Sequence, residues 1–191
     1  MTSPVTRRGV FLDRDGVIND VVLLDGKPHP PDRPDAVRIL PGVPEACGEL
    51  KRAGFTLLVV TNQPDVARGT LSVEVLAAIN DRIATLVPVD AIYVCTHDDQ
   101  HGCTCRKPAP GMITRGAEEH SLNVRESFMV GDRWRDIEAG QRAGCWTVLI
   151  NRGYLERPAN QPDYTATSLP EAVGWILGQR SAREESAGVH G

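Results

Sequence analysis

At 191 residues the chain is long enough to bury one core and short for two, and its 41% hydrophobic and 24% charged residues are ordinary globular values. A formal charge of −4 gives no overall attraction to nucleic acid or to an anionic membrane, so any anion site has to be local. No apolar run approaches the ~18 residues of a membrane-spanning helix, and Met1 to Gly9 carries two arginines with no apolar stretch behind them, unlike a signal peptide; a cytoplasmic location is expected.

The first apolar run, Val10-Phe11-Leu12, ends in Asp13-Arg14-Asp15-Gly16-Val17. Two aspartates at i and i+2 after a buried strand put like charges together, which is costly without a cation. Mg²⁺, hard and oxygen-seeking, is the natural partner, and Gly16 lets the chain turn sharply afterwards. Taken alone, D-x-D-G also fits a Ca²⁺-type acidic loop or a solvated turn. From Asn19 to Pro41 the chain holds Pro28, Pro30, Pro31, Pro34 and Pro41 with no helical period. It reads as a stiff surface loop or, from its position after the acidic motif, as part of the mouth of a site.

Val43, Ala46, Cys47 and Leu50 follow one helix face, which ends at Arg52-Ala53-Gly54. Phe55 to Val60 is a buried-strand run closed by Thr61-Asn62-Gln63, a hydroxyl and two amides suited to phosphate oxygens or, equally, to an ordinary cap. Ser72 caps the next helix, with Glu74 in its first turn and Leu76, Ile79, Ile83 and Leu86 on its apolar face.

The run Ala91 to Cys95 leads into Cys95-x-His97-x5-Cys103-x-Cys105. Five cysteines, three of them within eleven residues, do not make a disulfide framework. Three thiolates and an imidazole are instead a closed set of the structural zinc type, with His101 a spare in the loop. Cys47 and Cys145, among apolar neighbours, read as buried and unreactive. Arg106-Lys107-Pro108 follows directly, and Pro110 suits the first turn of a helix. A lysine there can balance the charge of a transferred phosphate, although such a pair is otherwise a solvated surface feature.

Phe128 to Val130 is again a strand run, ending in Gly131-Asp132-Arg133-Trp134-Arg135-Asp136. Asp132 can complete the carboxylate set and Asp136 can buttress it. Arg142-Ala143-Gly144 closes a helix as Arg52-Ala53-Gly54 does, before the run Thr147 to Ile150. Such strand–helix repetition predicts a parallel sheet with helices on both faces, and ligands at the carboxyl ends of its strands. Residues 1–180 are expected to form a single domain, and 181–191 a flexible tail.

D-x-D, then T-N, then K, then G-D-x-x-x-D, each after an apolar run from Val10 to Ile150, resembles the haloacid-dehalogenase (HAD) superfamily of phosphohydrolases, of subclass III type. A receiver-type signalling domain also uses Asp, Thr and Lys, but its phosphorylated Asp follows the third strand. The resemblance implies an α/β fold with a three-layer, Rossmann-like parallel sheet and no large cap domain. It also implies Mg²⁺-dependent hydrolysis of phosphate monoesters through an aspartyl-phosphate.

The zinc loop with R-K-P-x-P-G-M, Asp13 to Asn19 and Ala67-Arg68-Gly69 is similar to the heptose bisphosphatase branch. That implies loss of the 7-phosphate of D-glycero-D-manno-heptose 1,7-bisphosphate. Histidinol-phosphate phosphatases share the zinc loop and R-K-P, so that substrate or another small sugar phosphate stays open. A zinc-stapled binding module without turnover is a remoter alternative.

By position, the resemblance implies Asp13 as nucleophile, Asp15 as acid/base, and Thr61 and Lys107 as phosphate stabilisers. Asn62, Gln63, Arg106 and Arg133 would contact substrate. Mg²⁺ would be held by Asp13, Asp132 and the carbonyl of Asp15, and Zn²⁺ by Cys95, His97, Cys103 and Cys105. Two departures stand out: Pro64-Asp65 where the family commonly has Ser-Gly, and no tyrosine in the loop after Asn19. The expected partner is a small phosphorylated metabolite, with no nucleic acid, no membrane and a monomeric state.

Overall fold

The computed structural model describes residues 7–24 and 27–188. Its first half contains β1 (Gly9–Leu12), β2 (Val22–Leu24), β3 (Lys27–His29), α1 (Val43–Arg52), β4 (Thr56–Asn62), α2 (Val73–Leu86) and β5 (Ala91–Cys95). The second half adds α3 (Gly111–His120), β6 (Phe128–Gly131), α4 (Trp134–Ala143), β7 (Trp146–Ile150), β8 (Tyr164–Ala166) and α5 (Leu169–Gly188). Six strands form one sheet in the order β5-β4-β1-β6-β7-β8, and every pairing in it is parallel. This is the expected α/β architecture, and β2 with β3 forms a separate antiparallel hairpin.

The apolar runs of β1, β4 and β6 are strands buried on both faces, as central parallel strands under helices must be. Successive side chains alternate between the two cores. Val10 and Leu12 of β1, Leu57 and Val59 of β4, and Phe128 and Val130 of β6 face α1, α2 and α5. Phe11, Leu58, Val60 and Met129 face the opposite side, with Met112 and Ile113 of α3 and Ala139 of α4. The helical spacing in α1 delivers Val43, Ala46, Cys47 and Leu50 to the core as expected. In α2, Leu76, Ile79 and Ile83 are buried, whereas Leu86 sits exposed at the helix end. Ser72 caps α2 by accepting from Val75 N at 3.2 Å. Gly54 and Gly144 take the left-handed φ of +85° and +86° that ends α1 and α4 before the next strand. Burial pushes the thiols of Cys47 and Cys145 up to about 12, consistent with inert core cysteines.

Three features depart from the sequence reading. The proline-rich stretch after Asn19 is only partly loop: it holds the β2–β3 hairpin and a short 3-10 turn at Pro34–Ala36, with Asn19 and Val37 buried. Pro110 stands at the N-cap of α3 rather than inside its first turn. Beyond Ile150, β8 extends the sheet, and α5 covers it with Leu169, Ala172, Val173 and Ile176. The α5 helix continues past Ser181 to Gly188. Residues 1–6 and 189–191, on which part of the signal-peptide and tail expectations rest, lie outside the described residues. Among the described residues no helix is long and apolar enough to cross a membrane.

Trp175 of α5 ties this C-terminal layer to the sheet. It stacks on Tyr164 of β8 with ring centroids 5.1 Å apart, and meets Phe128 and Trp146 edge-on at 6.0 and 6.3 Å. Trp175→Ala should therefore lower the stability of the whole domain by about 3 kcal/mol, read as a shift of the urea midpoint. An unchanged midpoint would show that the Trp175 ring contributes no packing energy between α5 and the sheet.

Candidate active site

The strand order places β1 between β4 and β6, so the chain leaves β1 toward one side of the sheet and later returns to the other. At such a switch point the carboxyl ends of neighbouring strands open a crevice. Asp13 follows β1, Thr61 lies near the end of β4, and Asp132 follows β6. The Asp13 N–H donates to Val130 O at 2.9 Å, so the sheet ladder itself sets the first acidic residue beside β6.

Lys107 converges on the same point from the cysteine-rich loop after β5. Its Nζ lies 2.8 Å from Asp13 Oδ1 and 2.6 Å from Asp136 Oδ1, with the side chain almost wholly buried. Burial alone would lower the ammonium pKa, but the charges of Asp13 and Asp136 outweigh it and raise it, so the lysine stays charged. Its backbone is fixed by Asn62, whose amide donates to Lys107 O and accepts from Lys107 N, both at 3.0 Å. Asn62 thus spends its side chain on placing Lys107. Asp136 has two tasks. Its Oδ1 holds the ammonium, and its Oδ2 accepts from Arg133 N at 3.0 Å, capping α4.

Asp13, Asp132 and Asp136 can each bring one carboxylate oxygen within 4.8 Å of the others. Three buried carboxylates against one ammonium leave a formal −2 (−3 + 1), the charge a divalent cation neutralises. Burial, only partly opposed by Lys107 and reinforced by Asp136 and Asp15, raises the Asp13 pKa from 3.8 to about 7. Burial, then Asp13 and Asp136, holds Asp132 well above the ordinary carboxylate range. Asp132 Oδ2 accepts from Tyr154 Oη at 2.8 Å, while its Oδ1 is buried with no partner among the described residues. An orphaned buried carboxylate oxygen in a cluster of excess negative charge fits a hard cation. Gly16 makes room for it: with φ +87°, a Cβ there would lie 1.8 Å from Asp132 Oδ2.

The Asp15 carboxylate is not a member of that cluster. Arg14, itself fully buried, donates from Nε to both of its oxygens at 3.1 and 3.2 Å, and from Nη1 to Asn80 Oδ1. Asn19 Nδ2 donates to Asp15 Oδ1 at 2.9 Å and Gln63 Nε2 to Oδ2 at 2.7 Å. Gln63 also donates to Thr61 Oγ1 at 2.8 Å. Gln63, expected to contact substrate, is buried and joins Asp15 and Thr61, the two groups that do line the cavity.

That cavity, of about 480 Å³, has Asp13, Asp15, Thr61, Asn62 and Lys107 in its lining. Arg106 and Arg133 stand at its wall, already paired. Arg106 Nε donates to Asp99 Oδ1 at 2.9 Å, and Arg133 pairs with Glu156. Asp99 also holds Arg135 at 3.0 Å, and Asp65 holds Arg68 at 3.3 Å, so the departure Pro64-Asp65 does lie on the rim. Val21, His29 and Pro30 bring the stretch after Asn19 to the mouth. Tyr154 and Glu156 escaped the sequence reading, although they follow the apolar run of β7 and the strand-end rule applies to them as well.

A second cluster lies where β5 ends. Cys95, His97, Cys103 and Cys105 bring their ligand atoms within 4.8 Å of one another, with Sγ–Sγ separations of 3.1 to 3.7 Å. His97 offers Nδ1, 3.4 Å from Cys105 and 3.6 Å from Cys95. A tetrahedron with metal–sulfur bonds of about 2.3 Å has edges of about 3.8 Å, so the cluster is close to the size a zinc ion requires. His101 turns instead to Asp98, 2.6 Å away.

The raised carboxyls carry a sign. Between pH 3.8 and about 7 the folded state keeps a proton on Asp13 that the unfolded chain has released. Stability in Mg²⁺-free buffer should therefore fall as pH rises through that window, and added Mg²⁺ should flatten the fall. Urea midpoints against pH, with and without Mg²⁺, measure both. A flat Mg²⁺-free profile would contradict the electrostatics described here.

Comparisons with known proteins agree with this fold. A family model described as HAD-hydrolase-like matches residues 104–172. A D-glycero-D-manno-heptose-1,7-bisphosphate 7-phosphatase from Thermosynechococcus vestitus is 35% identical over 89% of this chain and 95% of its own. The D-glycero-beta-D-manno-heptose-1,7-bisphosphate 7-phosphatase of Pseudomonas aeruginosa is 36% identical over 83% of this chain and 89% of its own. The crystal structure of a D,D-heptose 1,7-bisphosphate phosphatase from B. bronchiseptica, complexed with magnesium and phosphate, superposes with a TM-score of 0.78. It is 32% identical, over 90% of this chain and 99% of that one. The chain is a phosphatase and belongs to the HAD-like hydrolases, in the family of the heptose-1,7-bisphosphate 7-phosphatases.

Proposed function

We propose that this phosphatase cleaves the 7-phosphate of D-glycero-D-manno-heptose 1,7-bisphosphate through a covalent intermediate on Asp13. The observation that carries the chemistry is Lys107 Nζ, buried and shared between Asp13 and Asp136 at the cavity floor. The substrate comes from the relatives named above, which bear that activity in their names.

The chain's own atoms take the following parts. Asp13 Oδ1 accepts from Lys107 Nζ and from Arg14 N at 2.8 Å, and Oδ2 accepts from none of the described residues. The Asp13 carboxylate attacks phosphorus and the ester P–O bond breaks, leaving an aspartyl-phosphate. Asp15 lines the same cavity and hands a proton to the leaving alkoxide. Its ionised form, held by Arg14, Asn19 and Gln63, then takes a proton from the water that attacks the intermediate. That water releases inorganic phosphate and restores Asp13.

Two further groups oppose the charge of the phosphoryl oxygens. Lys107 has three N–H donors and spends two on carboxylates, leaving one to offer. Thr61 Oγ1 accepts from Gln63 and so keeps its own hydrogen to donate. Mg²⁺ would be held by Asp13, Asp132 and the Asp15 carbonyl, and would supply charge neutralisation for the attacking carboxylate and the phosphoryl group. Zn²⁺ held by Cys95, His97, Cys103 and Cys105 would have a structural role, since Arg106 and Lys107 directly follow its last ligand. Arg106 and Arg133 face the sugar or its second phosphate.

Phosphate release is the direct test, with Mg²⁺ and a panel of heptose 1,7-bisphosphate, histidinol phosphate, fructose 1,6-bisphosphate and an aryl phosphate. The heptose ester should be preferred, and Asp13→Asn should cut turnover by at least about 10³-fold while the fold persists. Equal weak rates on all four esters would overturn the substrate, and an unaffected Asp13→Asn would overturn the nucleophile. Separately, Cys103→Ser should lower zinc content and melting temperature together. Full zinc occupancy in that variant would remove Cys103 from the ligand set.

A further inference from the structure

We infer that the segment from Asn151 to Glu156 is a strap that positions the Asp132 carboxylate for the divalent cation, through the hydroxyl of Tyr154. The inference rests on the proposed assignment of Asp132 as a metal ligand. Nothing in the motifs from Asp13 to Asp136 includes this segment, which begins only after β7.

The strap touches the site at three points. Arg152 Nε donates to Gly16 O at 2.8 Å, holding the turn that follows the two acidic residues. Tyr154 Oη donates to Asp132 Oδ2 at 2.8 Å. Glu156 pairs with Arg133, the N-cap of α4 and the residue next to Asp132. The strap is itself held at its start, where Asn151 N donates to Ala166 O at 2.8 Å and Asn151 Oδ1 accepts from Gly153 N at 3.0 Å.

The middle contact has a specific consequence. A free carboxylate can rotate and present either oxygen, or both, to a cation. Here one oxygen is committed: Oδ2 accepts the phenol's hydrogen bond and is wedged against Gly16, where a Cβ would lie 1.8 Å away. Tyr154 Oη would itself lie 2.9 Å from that Cβ, so tyrosine, carboxylate and glycine fill one corner together. Oδ1 is the oxygen left over, buried with no partner among the described residues. The tyrosine thus selects Oδ1 as the metal-facing atom and removes the rotational freedom that binding would otherwise have to freeze. Hydrogen bonds of this kind to a ligand are worth about 10–100-fold in metal affinity.

Mn²⁺ is the probe, titrated into zinc-retaining, Mg²⁺-free protein and followed by the EPR signal of the free ion. Asp132→Asn serves as the reference for a lost ligand. Tyr154→Phe, which deletes only the hydroxyl, should weaken Mn²⁺ binding by about 10–100-fold and raise the Mg²⁺ concentration for half-maximal phosphate release by a similar factor. The loss in kcat at saturating Mg²⁺ should be smaller. Arg152→Gln, which loosens the strap without touching Asp132, should weaken Mn²⁺ binding in the same direction. If Asp132→Asn loses Mn²⁺ while both strap variants bind it within about twofold of the wild type, far inside the range of such contacts, the strap inference is wrong. If Asp132→Asn also binds normally, the metal assignment of Asp132 falls, and the strap with it.

Discussion

One ammonium group, Lys107 Nζ, sits with almost no solvent contact between two carboxylates, and the surroundings are arranged around keeping it there. Breaking a buried ion pair from one side costs about 3–5 kcal/mol, because the abandoned charge has no water to turn to. Each partner is therefore held by something rigid. Asp13 hangs from the end of β1 by the sheet ladder, and Asp136 is fixed by capping the N-terminus of α4. Lys107 itself is gripped through its backbone by Asn62 at the end of β4. Strand, helix and cysteine-rich loop thus meet at a single charge.

The local sum of charges then sets the chemistry. Asp132 adds a further carboxylate that the lysine cannot balance, and one of its oxygens has no partner among the described residues. Protons on Asp13 and Asp132 are one way to relieve the excess, as their raised pKa values indicate. A divalent cation is the other, and it leaves Asp13 ionised. The same arrangement that is unfavourable without metal becomes attractive toward a metal and a phosphoryl group together. The rim differs in kind. Its arginines are balanced by Asp65, Asp99 and Glu156, so an anionic substrate has to compete with resident carboxylates there.

The cysteine–histidine cluster and the cavity floor are joined through the chain itself. Cys95 ends β5, Cys105 immediately precedes Arg106, and Asp99 within the loop pairs with both Arg106 and Arg135. Closing the loop around four converging ligands therefore places a rim arginine and the floor lysine in one step. A long polar loop without such a closure would carry more conformational freedom than a precise site tolerates.

The parallel sheet was legible in the sequence because strands buried on both faces must be continuous apolar runs, as at Val10–Leu12, Leu57–Val60 and Phe128–Val130. The metal-type spacing of Cys95, His97, Cys103 and Cys105, and the acidic and basic residues at strand ends, were legible for a similar reason: their chemistry is local in sequence. The hairpin after Asn19 was not, since its three-residue strands contain too few positions to show a period. Nor were the true partners of Asn62 and Gln63, because a side-chain amide serves substrate, backbone or carboxylate equally well until its neighbours are known. Tyr154 reaches Asp132 across 22 positions, and Arg152 reaches Gly16 across 136. By itself the sequence determined which residues carry charge and where strands end; only the tertiary structure decided which of those groups face each other, because that follows from sheet order and from side-chain hydrogen bonds between distant segments.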